Sequence, residues 1–395
     1  MNLESSPFRP GQETPLELFT GREKEIERLF GMVRASSQGQ LRVGFITGER
    51  GIGKSSLASF VHRLAETKEG IVGCHALLGD VADLSGMLSK VFNSLLEESI
   101  QKPWHEQVRN FFGDRVREVG IFGITLKLDL KSHDLDQLAM DFVPAIRKYL
   151  DTVKAQRKAL LLILDDINGL AGSAKFANWF KSAVDQIAIS RYRLPMCILM
   201  VGLEERRQEL IKSQPSLARV FDLIDVAPWS DEEVSRFYRN AFESVGGKVG
   251  DTQLKRLIEY TGGLPVLAHE IGHAVWLTAS SKVISGEDVL KGILIAADEI
   301  GKKFLYPQVF QVIRSERYRS ILWKISNSPR RSFRRSAILS QLAEREKKAF
   351  DRFLRRMKSL GSLQSDPLVR GGYNFPTRLH SLYFFMESLR ARRGR

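Results

Sequence analysis

Short apolar runs alternate with amphipathic helical patterns along the first part of the chain. Five runs have the length of buried strands, at residues 41–47, 71–78, 159–164, 196–202 and 220–226. Between them, apolar side chains recur every three or four positions, which is the spacing of one face of a helix. Strands that alternate with helices predict an α/β fold, with a parallel sheet and helices on both of its faces.

Three stretches complicate this alternation. Residues 104–119 have a helical pattern. The stretch 121–130 alternates apolar and other side chains from Phe122 onward, which predicts an inserted strand or hairpin. Residues 135–150 are again helical in pattern. Pro144 lies within them, and we expect it to kink the helix because proline removes a backbone donor.

The pattern becomes entirely helical after residue 231. The third helix of this region opens at Gly262-Gly-Leu-Pro265, and together the helices predict a lid. Further along, helices are followed by two short strands, which is the order of a winged helix-turn-helix. These last elements cover residues 307–325, 336–342, 347–360, 362–364 and 373–375, with Gly371-Gly372 at the strand turn.

A glycine-rich loop joins the first strand to the helix after it. Gly48-Glu-Arg-Gly-Ile-Gly-Lys-Ser55 fits Gly-x-x-x-x-Gly-Lys-[Ser/Thr], in the strand–loop–helix context that this motif requires. Its backbone N–H groups and the helix N-terminus attract phosphate. Lys54 would reach the β- and γ-phosphates of ATP, and the Ser55 hydroxyl would bind Mg²⁺. The predicted nucleotide-binding residues of this P-loop are Gly48, Glu49, Arg50, Gly51, Ile52, Gly53, Lys54, Ser55 and Ser56.

Acidic and basic candidates complete a predicted catalytic set. Two acids end the strand at 159–164: Asp165 would hold the Mg²⁺ shell, and Asp166 would orient the attacking water. A strand-end carboxylate that caps a turn is the alternative for Asp165. Arg219 is a candidate transition-state arginine, in cis or on a neighbouring subunit of a nucleotide-dependent homo-oligomer, with a surface ion pair as the alternative. With Lys54, these are the predicted catalytic residues.

Charge is distributed unevenly along the chain. The formal net charge is +14, yet residues 301–395 hold 23 Lys/Arg and 6 Asp/Glu, a net charge of +17. Such a basic domain favours a polyanionic partner, and a winged helix fits DNA. The alternatives are a basic surface that aids solubility and a module that docks a protein partner. The candidate DNA-binding residues are Arg330, Arg331, Arg334, Arg335, Arg352, Arg355, Arg356 and Lys358.

Cysteine use and apolar run length favour a cytoplasmic chain. Cys74 and Cys197 lie in apolar, strand-like runs, which suits a reducing compartment and gives no metal-binding spacing. The apolar runs are too short to span a bilayer, and the first residues lack a signal-peptide core. We therefore expect no membrane partner.

Three motifs carry a resemblance to a known family. Phe19-Thr-Gly-Arg-Glu23, the P-loop and Gly262-Gly-Leu-Pro265 lie in order along the chain. Over roughly residues 19–300 the chain resembles the STAND and archaeal replication-initiator branch of the AAA+ ATPases, and a C-terminal winged helix extends the resemblance. It implies ATP and Mg²⁺ as cofactors. It also implies that Gly21 and Arg22 lie near the adenine and that Pro265 contacts the base or the phosphates.

The chain departs from that pattern at three positions. Asp166 stands where many relatives have Glu, no polar residue ends the strand at Gly202, and no lid arginine follows Gly263. Because Asp is one methylene shorter than Glu, it positions water less well. We therefore expect ATP binding with slow hydrolysis, as in a switch whose nucleotide state controls DNA binding. The alternative is a STAND-type signalling or assembly ATPase whose winged helix docks a protein.

A competing motif lies inside the lid. His269-Glu-Ile-Gly-His273 matches the helical zinc-protease signature His-Glu-x-x-His. A zinc metallopeptidase is the remote alternative, since no third ligand has a convincing pattern and the lid helix already accounts for the segment. The sequence thus predicts four parts: a tail over 1–18, a P-loop ATPase core over 19–230, a lid over 231–300 and a basic winged-helix domain over 301–395.

Overall fold

The chain forms two compact units. A computed structural model describes residues 6–12, 19–100, 102–119, 125–190 and 193–393. The first unit runs from Arg22 to Ala227. The second joins the chain up to Gly21 with the chain from Pro228 onward. Apart from residues 6–12, the tail predicted over 1–18 lies outside the described residues.

Five parallel strands form the sheet of the first unit. The strands of this unit are β1 (Arg42–Thr47), β2 (Val72–Leu77), β3 (Val116–Val119), β4 (Thr125–Leu128), β5 (Leu160–Asp165), β6 (Met196–Val201) and β7 (Asp222–Asp225). The parallel sheet has the order β2–β5–β6–β1–β7. Every residue of β5 and β6 is buried, which explains their unbroken apolar sequences. The five predicted strand runs are therefore confirmed, although β7 is shorter than its run.

Helices flank this sheet and confirm the predicted α/β architecture. They are α1 (Glu23–Ser37), α2 (Lys54–Leu64), α3 (Leu84–Ser99), α4 (His105–Phe112), α5 (Ser132–Met140), α6 (Phe142–Val153), α7 (Ala174–Ile189) and α8 (Glu204–Ser213). Their apolar faces join the sheet in one buried cluster that includes Phe45, Leu88, Ile146, Leu162 and Phe176. The sheet and its helices therefore share one continuous core. Functional side chains can then lie at the strand ends, outside that core.

Two local predictions in this unit were wrong. The helix expected over 104–119 ends at Phe112, and its last residues instead form β3, which pairs antiparallel with β4. Residues 121–124 of the predicted 121–130 hairpin lie outside the described residues. The helix expected over 135–150 is broken at Asp141 rather than kinked at Pro144. Pro144 lies in the first turn of α6, where a missing N–H removes no helical hydrogen bond.

The second unit is mainly helical. After Pro228 come α9 (Asp231–Glu243), β8 (Lys248–Val249), α10 (Asp251–Thr261), α11 (Pro265–Thr278), β9 (Val283–Ile284) and α12 (Gly286–Ile300). Gly262 ends α10 in the left-handed conformation. Pro265 is the first residue of α11, so the helix start predicted at Gly262-Gly-Leu-Pro265 is confirmed. From the N-terminal segment, Phe8 packs against Phe237 and Phe242 and is 2 % exposed.

The basic end of the chain has its own core and a small sheet. Its elements are α13 (Glu316–Ile325), β10 (Ser332–Arg334), α14 (Arg335–Leu339), α15 (Glu344–Ser359), β11 (Gln364–Ser365), β12 (Gly372–Asn374) and α16 (Arg378–Arg393). The three strands are antiparallel in the order β10–β12–β11. Phe350, Phe353 and Met357 of α15 are fully buried. Within the described ranges, the structure holds no helix that is long and apolar enough to cross a membrane.

Three features here differ from the sequence prediction. The helix expected over 307–325 is interrupted, because a π-helical segment ends at Phe310 and α13 begins at Glu316. The strand β10 was not predicted; it pairs with β12 and stacks Phe333 on Tyr373. Helix α16 was not predicted either.

Candidate nucleotide-binding site

The P-loop has the backbone shape that its glycines allow. It leaves β1 and ends where α2 begins at Lys54. Gly48, Gly51 and Gly53 have φ angles of 145°, 76° and 91°, which residues other than glycine rarely adopt. The left-handed Gly53 immediately precedes α2, so the free N–H groups of the first helical turn face the loop. This arrangement suits a phosphate group.

Lys54 is held inside the loop. Its ammonium donates hydrogen bonds to the backbone oxygens of Gly48 at 3.0 Å and Glu49 at 2.8 Å. Burial lowers the pKa of Lys54, and the nearby carboxylates of Asp165 and Asp166 oppose that shift. The cation therefore lies among two acids and the loop carbonyls, as expected of a lysine that neutralises phosphate.

Ser55 and Asp165 meet across the sheet edge. The Ser55 hydroxyl donates to Asp165 Oδ1 at 3.1 Å, although the two residues are 110 positions apart. Asp165 is 1 % exposed and ends β5. A hydroxyl and a carboxylate oxygen side by side are ligands that fit Mg²⁺, which prefers oxygen. These two residues could hold that ion.

His75 orients the buried aspartate. Its Nε2–H donates to Asp165 Oδ2 at 3.0 Å, and its Nδ1 accepts from the Ser59 hydroxyl at 3.2 Å. One oxygen of Asp165 thus faces Ser55 while the other is fixed by an imidazole. Such an outer partner orients a carboxylate that binds a metal.

Asp166 lies at the turn after β5 and is exposed. It is left-handed, with φ 58°, a conformation that Asp and Asn tolerate better than most residues. Asn168 donates from its amide nitrogen to the Asp166 carboxylate and accepts from the Leu203 N–H at 3.4 Å. Strand β6 is followed by Gly202, which has no polar side chain. Because Asn168 bonds the next residue, Leu203, its amide supplies a polar group at this strand end.

Arg22 binds the backbone of the P-loop at Ile52. The guanidinium donates to the backbone oxygen of Ile52 at 3.0 Å and to that of Ala227. The residue is 5 % exposed and left-handed, with φ 70°. Gly21 and Pro265 belong to the second unit. There Gly21 lies against the Glu233 side chain, which a β-carbon at position 21 would overlap.

Arg219 lies apart from these contacts. It ends the short 3₁₀ helix Pro215–Arg219 and is exposed. Within the part of the chain that the structure describes, it forms no ion pair. The surface ion pair considered from the sequence is therefore not seen there.

The predicted basic residues divide into two groups. Arg352, Arg355, Arg356 and Lys358 lie on the exposed side of α15, and we call them the α15 basic face. Arg330 and Arg334 are exposed as well. The other two are engaged: Arg331 donates to the backbone oxygens of Phe375 and Pro376, and Arg335 pairs with Asp351 at 2.9 Å.

Two of the three side chains of the His-Glu-x-x-His motif have other partners, whereas the buried His273 Nδ1 has no hydrogen-bond partner among the described residues. His269 accepts a hydrogen bond from the Arg9 N–H at 3.2 Å, and Glu270 pairs with Lys303 at 3.3 Å. The one group of His, Cys, Asp and Glu side chains that could hold a metal within the described residues lies elsewhere. The motif thus contributes to the packing of α11 and the N-terminal segment.

Sequence reasoning missed His75 and Asn168. A signal for His75 was present, because it is a polar residue in an apolar strand. In the parallel register Leu77 pairs with Asp165, so His75, two residues earlier, lies on the same face. Asn168 carries no comparable signal, since a polar residue in a turn is unremarkable by sequence.

Comparisons with known proteins found one family model and several solved structures of similar fold. Residues 18–189 match the family model of the AAA ATPase domain. No curated protein matches the sequence as a relative. The fold is similar to that of the ORC2 protein of Aeropyrum pernix in ADPNP–ADP complexes, with 15 % identity, a TM-score of 0.59 and coverage of 100 % of both chains.

Two further solved structures have a similar fold. A Walker-type ATPase of Pyrococcus abyssi is 16 % identical, with a TM-score of 0.57 and coverage of 95 % of this chain and 98 % of that one. Cdc6p from Pyrobaculum aerophilum is 12 % identical, with a TM-score of 0.50 and coverage of 99 % of both chains. Identities this low concern the fold alone. Residues 18–189 are therefore similar to an AAA ATPase domain, and the P-loop NTPase fold resembles those of the archaeal Orc and Cdc6 proteins.

Proposed function

We propose that the chain is an ATP-dependent switch that hydrolyses ATP slowly and couples its nucleotide state to DNA binding. The observation that carries the proposal is the contact between Ser55 Oγ and Asp165 Oδ1, 3.1 Å long, at the mouth of the P-loop. A hydroxyl, a buried carboxylate and a lysine at one helix N-terminus form the usual binding set for Mg²⁺ and a nucleoside triphosphate.

Each residue of the site has a distinct role in this proposal. Backbone N–H groups of the P-loop and the Lys54 ammonium bind the phosphates. Ser55 and Asp165 hold Mg²⁺, which when bound neutralises charge on the phosphate oxygens. His75 keeps Asp165 in position, and Asp166 orients the water that attacks the terminal phosphate.

Slow hydrolysis follows from the surroundings of Asp166. Its carboxylate is one methylene shorter than a glutamate, and the Asn168 amide already occupies one of its oxygens. Arg219 is exposed, which supports a role on a second copy of the chain rather than within its own site. Such an arginine would stabilise transition-state charge only in a homo-oligomer.

Arg22 supports a link between the nucleotide site and the rest of the chain. Arg22 and Ala227 are the first and last residues of the nucleotide-binding unit. The Arg22 guanidinium bonds both Ala227 and Ile52 of the P-loop. A shift of the P-loop on nucleotide binding would therefore move Arg22 and Ala227, the two residues at which the chain connects to the second unit.

The basic end of the chain supports DNA as the partner. Its element order of helix, strand, helix, helix and hairpin matches a winged helix-turn-helix, in which the last helix before the hairpin enters the major groove. That helix is α15, and it carries the α15 basic face. Arg330 and Arg334 add two exposed cations near the small sheet.

The test is the salt dependence of DNA binding in a triple variant. Replacing Arg352, Arg355 and Arg356 with alanine removes three phosphate contacts if all three side chains reach the DNA backbone. The log–log salt slope should then fall by about 2.7, at 0.9 per contact. A matched control replaces three exposed cations of the first unit, Lys24, Arg28 and Arg63, and should leave the slope unchanged. An equal loss in both variants would reject α15 as the DNA-binding element, and the basic face would then be a candidate for docking a protein.

A further inference from the structure

A second polar cluster lies behind the P-loop helix. It consists of His62 near the end of α2, Glu66 in the π-helical turn Ala65–Glu69, and Glu98 on α3. One ligand atom from each residue lies within 4.8 Å of the other two. None of these residues takes part in the nucleotide site described above.

His62 has a buried nitrogen that lacks a partner. The residue is 8 % exposed, and its Nε2 has no hydrogen-bond partner among the described residues. The same nitrogen lies 3.9 Å from Glu98 Oε1, so it is directed into the cluster. Gly73 of β2 makes this possible, because a β-carbon there would lie 1.8 Å from Nε2. A buried, unpaired imidazole nitrogen calls for a ligand.

The charges of the cluster favour a cation. Burial and the neighbouring Glu66 carboxylate raise the pKa of Glu98. Burial lowers the pKa of His62 to about 4, so its ring is neutral near pH 7 and offers a lone pair. Lys102 Nζ lies 2.8 Å from Glu66 Oε2 and supplies one positive charge beside two carboxylates.

We propose that His62, Glu66 and Glu98 bind a divalent first-row transition metal ion such as Zn²⁺. One imidazole and two carboxylates are a ligand set for zinc, whereas the imidazole disfavours magnesium and calcium. Tetrahedral bonds of about 2.1 Å would bring the ligand atoms to about 3.4 Å from one another. The 3.9 Å pair needs only a small side-chain adjustment, and water would complete the coordination.

The ion would be structural. It would join the end of α2 to α3, and α2 is the helix that begins with Lys54 and Ser55. His62 is also in edge-to-face contact with His75, the partner of Asp165, with ring centroids 6.1 Å apart. Binding would thus stiffen the support of the nucleotide site without entering it.

The test is equilibrium dialysis of the metal-stripped, nucleotide-free full chain against Zn²⁺. We expect one ion per chain, with affinity at least about tenfold weaker in His62→Ala and in Glu98→Gln. Lys102→Met removes the competing cation and should bind about threefold tighter. The matched control is His133→Ala, since the His133 side chain is 89 % exposed. Zn²⁺ should also raise the melting temperature of the wild type and leave that of His62→Ala unchanged.

Three results would overturn the proposal. The first is a wild-type chain that takes up no stoichiometric Zn²⁺. The second is uptake that persists in both His62→Ala and Glu98→Gln. The third is uptake lost in His273→Ala instead, which would assign the ion to the His-Glu-x-x-His segment. The Lys102→Met gain keeps the test decisive if either ligand variant fails to fold.

Discussion

The guanidinium of Arg22 donates a hydrogen bond of 3.0 Å to the backbone oxygen of Ile52, within the P-loop. The other terminal nitrogen of this guanidinium donates to the backbone oxygen of Ala227, the last residue of the nucleotide-binding unit. Arg22 is 5 % exposed, so water cannot replace these bonds. The family resemblance implies a position near the adenine, whereas the contacts give this side chain a role in holding the P-loop.

Arg22→Ala should weaken ATP binding and destabilise the unit. Removing a buried cation leaves two carbonyl oxygens without partners, at a cost of about 2–4 kcal/mol in the free energy of unfolding. Chemical denaturation and a nucleotide titration measure both effects. Arg28 lies on α1, the helix that follows Arg22, and is exposed, so Arg28→Ala is the control. Equal ATP affinity in the two variants would remove Arg22 from the account of the P-loop.

His75→Ala should slow hydrolysis while nucleotide binding without Mg²⁺ persists. The imidazole fixes one oxygen of Asp165, and losing such an outer partner reduces metal-dependent activity about 10- to 100-fold. His75→Gln can still donate to Asp165 and should recover part of the rate. ATPase rates against Mg²⁺ concentration, with Mg²⁺-free nucleotide affinity alongside, measure this. A loss of affinity without Mg²⁺ would point to a general packing defect instead.

Asp166→Asn should retain ATP and lower its turnover. Asn tolerates the left-handed backbone of this position, so the fold should be kept. The amide cannot orient or activate water as a carboxylate does, and the rate should fall by about 100-fold or more. Asp225 is an exposed aspartate at the end of another strand of the sheet, so Asp225→Asn is the matched control. Single-turnover hydrolysis at saturating ATP compares the two variants. An unchanged rate in Asp166→Asn would reject the role of Asp166 in orienting water.

Stability of the second unit should fall in acid because of His269. Burial lowers the pKa of His269 to about 4, below the ordinary value of 6.5. As the pH falls from 6.5 toward 4, the unfolded chain takes up a proton that the folded chain does not. Stability is therefore full above pH 6.5 and declines below it, by about 3 kcal/mol at most for this residue.

Denaturant unfolding at pH 7.5 and pH 4.5 tests this expectation. His269→Gln keeps an acceptor for the Arg9 N–H but cannot titrate, so its acid loss should be smaller than that of the wild type. His62 and His380 also have a pKa lowered by burial, so both proteins should still lose some stability. An identical acid loss in wild type and variant would contradict the expectation.

The parts of the fold that follow from local sequence were predictable. An apolar run, a glycine-rich turn and a helix with Lys54 at its start specify the P-loop almost alone. The acids at the end of β5 follow because parallel strands bring their carboxyl ends to one edge. The pairing of Ser55 with Asp165 is the direct consequence, although nothing local connects them.

Features that depend on tertiary packing could not be predicted in the same way. The strand β10 is three residues long and exists because β12 pairs with it, and α16 follows a proline-containing turn. His75 acts through a neighbouring strand, so its role required the register as well as the residue. Arg335 was a candidate for DNA contact, yet its partner Asp351 lies one helix away.

DNA binding as a function of nucleotide tests the central claim most directly. The measurement is DNA affinity against salt for the wild type and Lys54→Ala, each with ATP, ADP and no nucleotide. We expect a steep salt slope in both proteins, near −4.5 for about five phosphate contacts, and an affinity that changes with nucleotide in the wild type only. Absence of DNA binding at low salt in every nucleotide state would contradict the account.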